Sequence, residues 1–382
     1  MRRDAAPALV CILALLIASV IGLVDIPSPG PIKDLVVSWF QGKPPPAQIG
    51  RVKTASGTVS ITRGSEHFPA PPGAPVYQAD VIETAADGAV GITLVDDSVF
   101  SAGPGSRLTL TGFHFDFNTS RGDMLAELRT GTLAVVSGEI THTTPGAMSI
   151  KTPSSILGVR GTTFAVEVAS GGRCQCVLNQ GTDPSAANAP CPPDASSCPP
   201  QQRYPEERYV VFPNADGRPG SGAITVNRGS TATTLDQPYA AAELRDGEAT
   251  STVIDAARAE TIFQQALAAR PALPAHFRLN FLLDSDQMTP ESQAMLPEVV
   301  AEIRKRPVYE VELVGHTDTL ADEAYNQKLS RDRALAVRRA LVRDGVSDDA
   351  ISVIARGETE LLVPTARGVP EPRNRRVEVS IR

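Results

Sequence analysis

Between Gly50 and Val168, apolar and polar residues alternate in short runs. The segments GTVSITR, AVGITLVDDS, RLTLTGFHFDF and TFAVEV carry an apolar residue at about every second position, and glycine, proline or paired aspartates separate them. Alternation with a period of two puts successive side chains on opposite faces of a strand. The pattern predicts an all-β domain of antiparallel strands without a helix of ordinary length. RYVVFP and GAITVNRG resume the strand pattern, so the predicted domain covers 50–247.

From residue 276 onward, strand and helix patterns follow one another. FRLNFLL, VYEVELVG, ISVIARG and RRVEVSI have strand character, whereas SQAMLPEVVAEIRKR and SRDRALAVRRALVRDG have helical composition. Thr289 before Pro290 is a favourable helix start, with threonine as the cap and proline in the first turn. The order predicts an α/β domain over 276–382. An apolar stripe between Ser251 and Ala269 predicts one helix within a linker at 248–275.

The first residues of the chain indicate export. Arg2 and Arg3 precede an uncharged apolar run from Ala5 to Val24. About 20 helical residues cross a hydrocarbon core of about 30 Å, and the arginines favour the cytoplasmic side. We therefore expect an N-terminal membrane helix at 1–24, a signal anchor in the inner membrane, with the rest of the chain in the periplasm. The alternative is a cleaved signal peptide, which would leave an outer-membrane or wall-associated protein.

The remaining composition changes this multidomain picture little. A Pro-rich linker is expected at 25–49, where IPSPGP and KPPPAQ favour extended conformations. The net charge of -7 gives no electrostatic reason to bind nucleic acid. The chain lacks G-x-S-x-G, H-E-x-x-H and Walker motifs. We therefore expect no enzyme, no cofactor and no metal site.

Four cysteines lie close together in an insertion at 171–202. They are Cys174, Cys176, Cys191 and Cys198. Paired C-x2-C ligands, which are typical of zinc sites, do not occur, and an exported protein meets an oxidising environment. The spacing favours disulfides over metal. A bridge between Cys174 and Cys176 would be strained, so two of the three pairings stay open.

The β-rich segment resembles a FecR-type domain. The resemblance rests on GRVKTASGTVSITRG, on ADVIETAADGAVGITLVDDSVFSAGPGSRLTL, on GTLAVVSG and on KTPSSILGVRGTTFAVEV, with VRGT-x-F as its most specific piece. It implies a periplasmic β module that offers a scaffold or recognition surface to an unknown protein partner. In iron-transport regulators this domain is joined to a cytoplasmic segment that holds a sigma factor. Only four residues precede the apolar run here, so that role is not carried over.

The C-terminal segment resembles an OmpA-like peptidoglycan-binding domain. GHTDTLADEAYNQKLSRDRALAVRRAL, ARGETELLVPT and NRRVEVSI follow the order and spacing of that family. The chain departs from the family at Ala321, where glycine is frequent, and at Leu361-Leu362-Val363, which is one residue longer than usual. Both departures would alter the rim of the pocket.

The ligand that this resemblance implies is diaminopimelate in the stem peptide of peptidoglycan. Its side chain ends in an ammonium and a carboxylate on one carbon, so a site needs one fixed anion and one fixed cation. Asp318, in the turn after a strand, would hold the ammonium. Arg333, on the returning helix, would hold the carboxylate with its planar donors. The alternative is a structural ion pair between the two residues.

Four further residues are weaker binding candidates by position, and the Asp284 loop is expected to close one side of the pocket. They are Thr317, Asn326, Leu329 and Arg376. His316 is interpreted as a hydrogen-bonded residue at a strand end.

The combined hypothesis is a non-enzymatic envelope protein that binds peptidoglycan and presents its FecR-like domain as a scaffold or recognition surface. A sensor or signalling protein that uses the FecR-like domain is the alternative.

Overall fold

A computed structural model describes residues 47–117, 119–169, 205–215, 222–245 and 248–382. Gln48–Arg382 belongs to one compact unit. The predicted membrane segment at 1–24, nearly all of the Pro-rich linker and the four cysteines of the insertion lie outside the described residues.

The predicted fold class requires a correction at the N-terminal membrane helix. No helix in the described ranges is long and apolar enough to cross a membrane. The longest of these helices, Glu323–Arg343, contains many charged residues, such as those in the run SRDR, which excludes it from a hydrocarbon core. The fold class that the structure supports is an all-β domain followed by an α/β domain.

The β domain contains seventeen strands in its described part, joined into one hydrogen-bonded sheet. The strands are β1 Gln48–Ser56, β2 Val59–Arg63, β3 Glu66–Pro69, β4 Pro75–Tyr77, β5 Val81–Thr84, β6 Ala89–Leu94, β7 Val99–Ala102, β8 Arg107–Asp116, β9 Arg121–Val136, β10 Met148–Lys151, β11 Ile156–Arg160, β12 Thr163–Val168, β13 Glu207–Phe212, β14 Ala223–Arg228, β15 Thr231–Leu235, β16 Ala240–Arg245 and β17 Glu248–Val253. One short helix, α1, covers Glu139–Thr143.

The long strand β9 connects the two ends of this domain. Its first half pairs with β8 and β10, and its second half pairs with β7 and β12. Gly131, at φ 90°, lies where the strand changes partners, and a Cβ atom there would stand 2.4 Å from the Cα of Ser106. Every strand pair in the described part of the domain is antiparallel except β9 with β10. The antiparallel prediction is therefore correct apart from this pair.

The segment predicted as a linker belongs structurally to the β domain. Its first residues form β17, which pairs with β16, and α2 follows at Ala256–Ala268. The Asp255 side chain caps α2 by accepting a hydrogen bond from the Arg258 amide at 2.8 Å. Phe263 is fully buried, and its ring meets Phe212 edge to face. The apolar stripe of α2 therefore packs on the β domain.

The α/β domain has a four-stranded sheet in the order β18–β21–β19–β20. Its elements are β18 Ala275–Asn280, α3 Pro290–Arg304, β19 Val311–His316, α4 Glu323–Arg343, a 3-10 turn Asp348–Ala350, β20 Ile351–Gly357, a second 3-10 turn Pro372–Asn374 and β21 Arg376–Ile381. β19 and β20 are parallel, and the other two pairs are antiparallel. Thr289 caps α3 as expected. Apolar residues of the two helices and the sheet form a separate core.

Charged residues connect the two domains. The Glu310 carboxylate, before β19, accepts hydrogen bonds from Arg51 Nε at 3.0 Å and from Lys53 Nζ at 2.9 Å. In the β6–β7 turn, the Asp97 carboxylate accepts a hydrogen bond from Arg382. It also pairs with His276 on β18. These contacts join residues more than 170 positions apart in the sequence.

Candidate functional site

The site is built where β19 ends and α4 begins. Gly315 allows the strand to approach the helix, since a Cβ atom at this position would stand 2.0 Å from the Ser330 carbonyl oxygen. The chain then turns, and Asp322 caps α4 by accepting a hydrogen bond from the Tyr325 amide at 2.9 Å. The helix begins well before the predicted segment SRDR. As a result, Asn326 and Arg333 lie two turns apart on one helix.

Arg333 is fully buried, and all of its described hydrogen bonds go to backbone carbonyls. Its Nε donates to Ser285 at 2.9 Å, Nη1 to His316 at 3.0 Å and Nη2 to Leu282 at 3.2 Å. Its guanidinium also lies 5.6 Å from the centroid of the Phe281 ring. Among the described residues, no carboxylate forms a salt bridge with it.

Burial lowers the pKa of Arg333 to about 10, and the nearby charge of Asp318 opposes this shift. The guanidinium is therefore still positive at neutral pH. The two residues influence each other electrostatically, although they are not in direct contact.

Asp318 is 5% exposed and has a different cation as its partner. Its Oδ2 accepts a hydrogen bond from Arg375 Nη1 at 3.0 Å and another from the Glu371 amide at 3.3 Å. The alternative of a structural ion pair between Asp318 and Arg333 therefore does not describe this geometry. The anion is held by Arg375, and the cation is held by carbonyl dipoles.

Loop 281–287 contacts Arg333, and its predicted closure of one side of a pocket stays a prediction. Two of its carbonyls bind Arg333. The Tyr325 hydroxyl donates a hydrogen bond to Asp284 at 2.5 Å, and this bond raises the pKa of Tyr325. The loop is thus fastened to α4 at two points.

The weaker binding candidates differ in their burial and in their distance along the chain from Asp318. Thr317 is fully buried, and its amide donates to the Gly357 carbonyl at 2.8 Å. Asn326 is also buried and donates to Glu358 at 2.5 Å and to the Ala321 carbonyl at 3.1 Å. Leu329 is half-buried one helical turn before Arg333. Thr317 and Asn326 thus belong to the same strand-to-helix connection as Asp318, whereas Leu329 lies further along α4.

Arg376, in contrast, is directed away from Asp318. Its Nε donates to Glu378 at 2.7 Å and its Nη2 to the Glu360 carbonyl at 3.3 Å. Arg375, which ends the 3-10 turn directly before β21, contacts Asp318 instead.

His316 ends β19 and is 1% exposed. Its carbonyl oxygen accepts the hydrogen bond from Arg333. Burial and the charge of Arg376 lower the pKa of the His316 ring to about 4. The ring is therefore neutral at physiological pH, and neither of its buried nitrogens has a hydrogen-bond partner among the described residues.

Comparisons with known proteins agree with both domains. Residues 280–375 match the model of the OmpA family, and residues 80–182 match the model of FecR protein. The chain carries an OmpA-like domain at its C-terminal end and a FecR-like domain before it. These matches identify a protein of the cell envelope.

Individual relatives match the OmpA-like part. Outer membrane porin F of Pseudomonas fluorescens is 35% identical over 103 residues, which cover 27% of this chain and 32% of the porin. Outer membrane protein A of Bordetella avium is 33% identical over 101 residues, or 26% of this chain and 52% of that protein. The chain thus spans about a third and about half of these two relatives.

Among solved structures, the peptidoglycan-associated lipoprotein from Burkholderia pseudomallei is 27% identical. The match has a TM-score of 0.26 and covers 28% of this chain and 89% of that one.

Proposed function

We propose that the OmpA-like domain binds peptidoglycan non-covalently by holding the diaminopimelate of a stem peptide between Asp318 and Arg333. The protein acts without catalysis in the periplasm, as an attachment to the cell wall. The match to the OmpA family supports the ligand class, and the geometry of the two charged residues supports the mode of binding.

This proposal depends mainly on the burial and the hydrogen bonds of Arg333. A buried cation without a carboxylate partner is costly, because carbonyl dipoles compensate its lost hydration only in part. A guanidinium has five N–H donors, and three hydrogen bonds to protein are present. Two donors remain for a ligand carboxylate, which would also neutralise the charge; because Arg333 is fully buried, the ligand would have to displace part of its cover.

Asp318 supplies the complementary anion. Both of its hydrogen bonds from the protein go to Oδ2. Oδ1 is therefore available to accept a hydrogen bond from the ammonium group of the ligand. Arg375 fixes the orientation of the carboxylate, which reduces the ordering that the ligand must impose.

The FecR-like domain is proposed to present a scaffold or recognition surface to a protein partner. Its ion pairs with the OmpA-like domain, through Glu310 and Asp97, support a fixed placement of that surface relative to the wall. Its matched family supports an envelope role.

Co-sedimentation of the protein with purified peptidoglycan tests the wall-binding proposal. We expect binding to diaminopimelate-type wall and loss of binding to lysine-type wall, because lysine lacks the side-chain carboxylate that Arg333 would hold. This comparison leaves the protein unaltered. Equal binding to both wall types would contradict the proposed recognition.

Substitutions then locate the site. Asp318→Asn keeps the shape of the side chain and should weaken binding at least roughly tenfold, since it removes a charge-assisted hydrogen bond. Arg338→Gln is the matched control, because Arg338 pairs with Asp348 on the exposed side of the same helix. Melting temperatures of both variants establish that they are folded.

A further inference from the structure

Four strands of the β domain have a free edge in the described part of the chain. Each pairs with one neighbour only: β3 with β2, β4 with β1, β15 with β14 and β17 with β16. A free edge presents unpaired amide and carbonyl groups, which can pair with a strand of another chain. Natural proteins prevent such pairing with short edge strands, prolines and charged residues.

Strand β17 has little of this protection. β4 is three residues long and begins with Pro75, and β3 contains Glu66 and ends at Pro69. β15 is uncharged, but its last residue, Leu235, is buried. β17, with the sequence EATSTV, is six residues long, every residue is exposed, and Glu248 is the single charged one. It pairs with β16 over its whole length without a shift in register.

The pairing with β16 decides which groups of β17 point to the free edge. The Ile254 amide, just after β17, donates to the Tyr239 carbonyl at 3.1 Å. In an antiparallel pair, hydrogen-bonded and non-hydrogen-bonded positions alternate. The amides of Ala249, Ser251 and Val253 therefore point away from β16, and the described residues offer them no partner.

The side chains of the same three residues share the inner face of their sheet. Residues directly opposite each other in a strand pair lie on one face. Ala249 and Ser251 lie opposite Leu244 and Ala242, which are both buried. Val253, in contrast, is 66% exposed. β17 thus presents to solvent a face that the neighbouring strand buries.

The interior of the β domain is open beside this edge. A cavity of about 360 Å³ lies there, and its lining includes Tyr209, Val226, Leu244 and Ala249. A strand added to β17 would extend the sheet on one side of the opening, so that its inward side chains shield the cavity from water.

We propose that β17 is a self-association surface, which pairs antiparallel with β17 of a second copy of this chain and joins the two β domains into one continuous sheet. A twofold axis at Ser251 would relate the two copies. This inference goes beyond the proposed function, because it requires neither the cell wall nor another protein.

One register pairs all of the outward-pointing residues. With the axis at Ser251, Ala249 of each copy lies opposite Val253 of the other, and the two Ser251 residues face each other. Each of these pairs exchanges two backbone hydrogen bonds. All three outward amides of each β17 strand then have an acceptor.

The side chains of β17 are complementary to themselves in this register. Thr250 of one copy lies opposite Thr252 of the other, and opposed threonines stabilise an antiparallel pair. Glu248 faces Ile254 of the second copy, so no like charges meet directly. Val253 loses exposed apolar surface, which is favourable. This self-complementarity selects a second copy as the occupant of the edge.

Dimerisation would bring two OmpA-like domains to one cell wall, so that the second binding event becomes intramolecular. This consequence rests on the proposed function, whereas the pairing of β17 does not.

Sedimentation equilibrium of the full chain over a range of concentrations tests the pairing. We expect a reversible dimer for the wild type. Ser251→Pro removes an outward-pointing amide and leaves the hydrogen bonds to β16 in place. Ser251→Lys puts two positive charges at the axis. Each variant should weaken dimerisation at least roughly tenfold.

Ser251→Thr is the matched control, because it keeps the amide and suits a strand, and it should dimerise as the wild type does. Melting temperatures establish that the variants are folded. Ser251→Cys locates the contact, since opposed Cα atoms in a hydrogen-bonded pair lie about 5.5 Å apart, within reach of a disulfide. It should cross-link two copies beyond the level of the wild type, and Thr250→Cys, opposite Thr252, should cross-link less.

A wild type that stays monomeric at every concentration would overturn the inference and leave the edge open to a strand of another protein. Folded Ser251→Pro and Ser251→Lys variants that dimerise as Ser251→Thr does would overturn it too, because the dimer would then use another surface. Neither result bears on wall binding, which is tested separately with Asp318→Asn.

Discussion

Asp318 forms a salt bridge with Arg375 at 3.0 Å, and both side chains are largely buried. Arg375 Nε also donates to the Phe281 carbonyl at 3.3 Å, so this arginine links the anion of the site to the loop that covers it. The anion therefore has its own structural cation, and Arg333 bonds to backbone carbonyls instead of to Asp318.

Replacement of Arg375 by methionine should destabilise the protein strongly. The substitution leaves the Asp318 carboxylate buried without its cation, and breaking a buried pair in this way costs about 3–5 kcal/mol. Arg338→Met removes the exposed partner of Asp348 and should cost little stability, because exposed ion pairs contribute little. Urea unfolding of both variants measures the difference, and equal losses would contradict the structural role of Arg375.

Asp96 should make stability depend on pH. It is fully buried beside Ser98, and burial raises its pKa from 3.8 to about 6. Because the folded pKa is the higher one, the stabilisation is complete below pH 3.8 and is lost as the pH rises to 6. The loss amounts to about 3 kcal/mol.

Asp96→Asn removes this titration, so the stability of the variant relative to wild type should rise between pH 4 and pH 7. Chemical unfolding at several pH values measures the change. Asp87→Asn, at an exposed turn position, should follow the wild type. A constant difference in the free energy of unfolding between Asp96→Asn and wild type across this pH range would contradict the prediction.

His276 should strengthen the contact between the domains at lower pH. The hydrogen bond to Asp97 raises the pKa of His276 above 6.5, and burial, the Glu139 carboxylate and the Arg382 guanidinium also act on the ring. The contribution is present below pH 6.5 and is lost as the pH rises through the raised pKa. It should stay below about 1 kcal/mol, since the side chain is half-exposed.

The slope of stability between pH 6.5 and pH 8.5 should therefore decrease in His276→Gln. His67→Gln, on an exposed strand, is the control for loss of a histidine. Unchanged slopes in both variants would show that the His276 contact does not contribute.

Glu310→Gln should loosen the contact between the domains. Lys53 is almost fully buried and would lose its carboxylate partner, at a cost of about 1–3 kcal/mol. Hydrogen exchange of β1 and β19 should rise together. Adding Lys53→Met should recover part of the loss, because the uncompensated charge is then gone. Glu83→Gln, from an exposed pair with Arg107, is the control.

The sequence was most informative where a local pattern has one structural solution. Alternation such as that of TFAVEV predicts β12, and Thr289-Pro290 predicts the start of α3. The β9–β10 pair was not predicted, because parallel pairing depends on where distant strands meet. The segment 248–275 was predicted as a linker for a similar reason. Its strand and its helix have nothing to pack against until the β domain has folded.

The sequence by itself identified the two domain families, because short motifs of fixed spacing carry that information. From the same motifs it predicted Asp318 and Arg333 as binding residues. Only the tertiary structure decided which cation holds Asp318 and that carbonyl dipoles hold Arg333. It also brought Glu310 beside Lys53. The physical reason is the range of each interaction. Periodicity and capping act within a few residues, whereas ion pairs, burial and surface patches arise only when distant segments fold together.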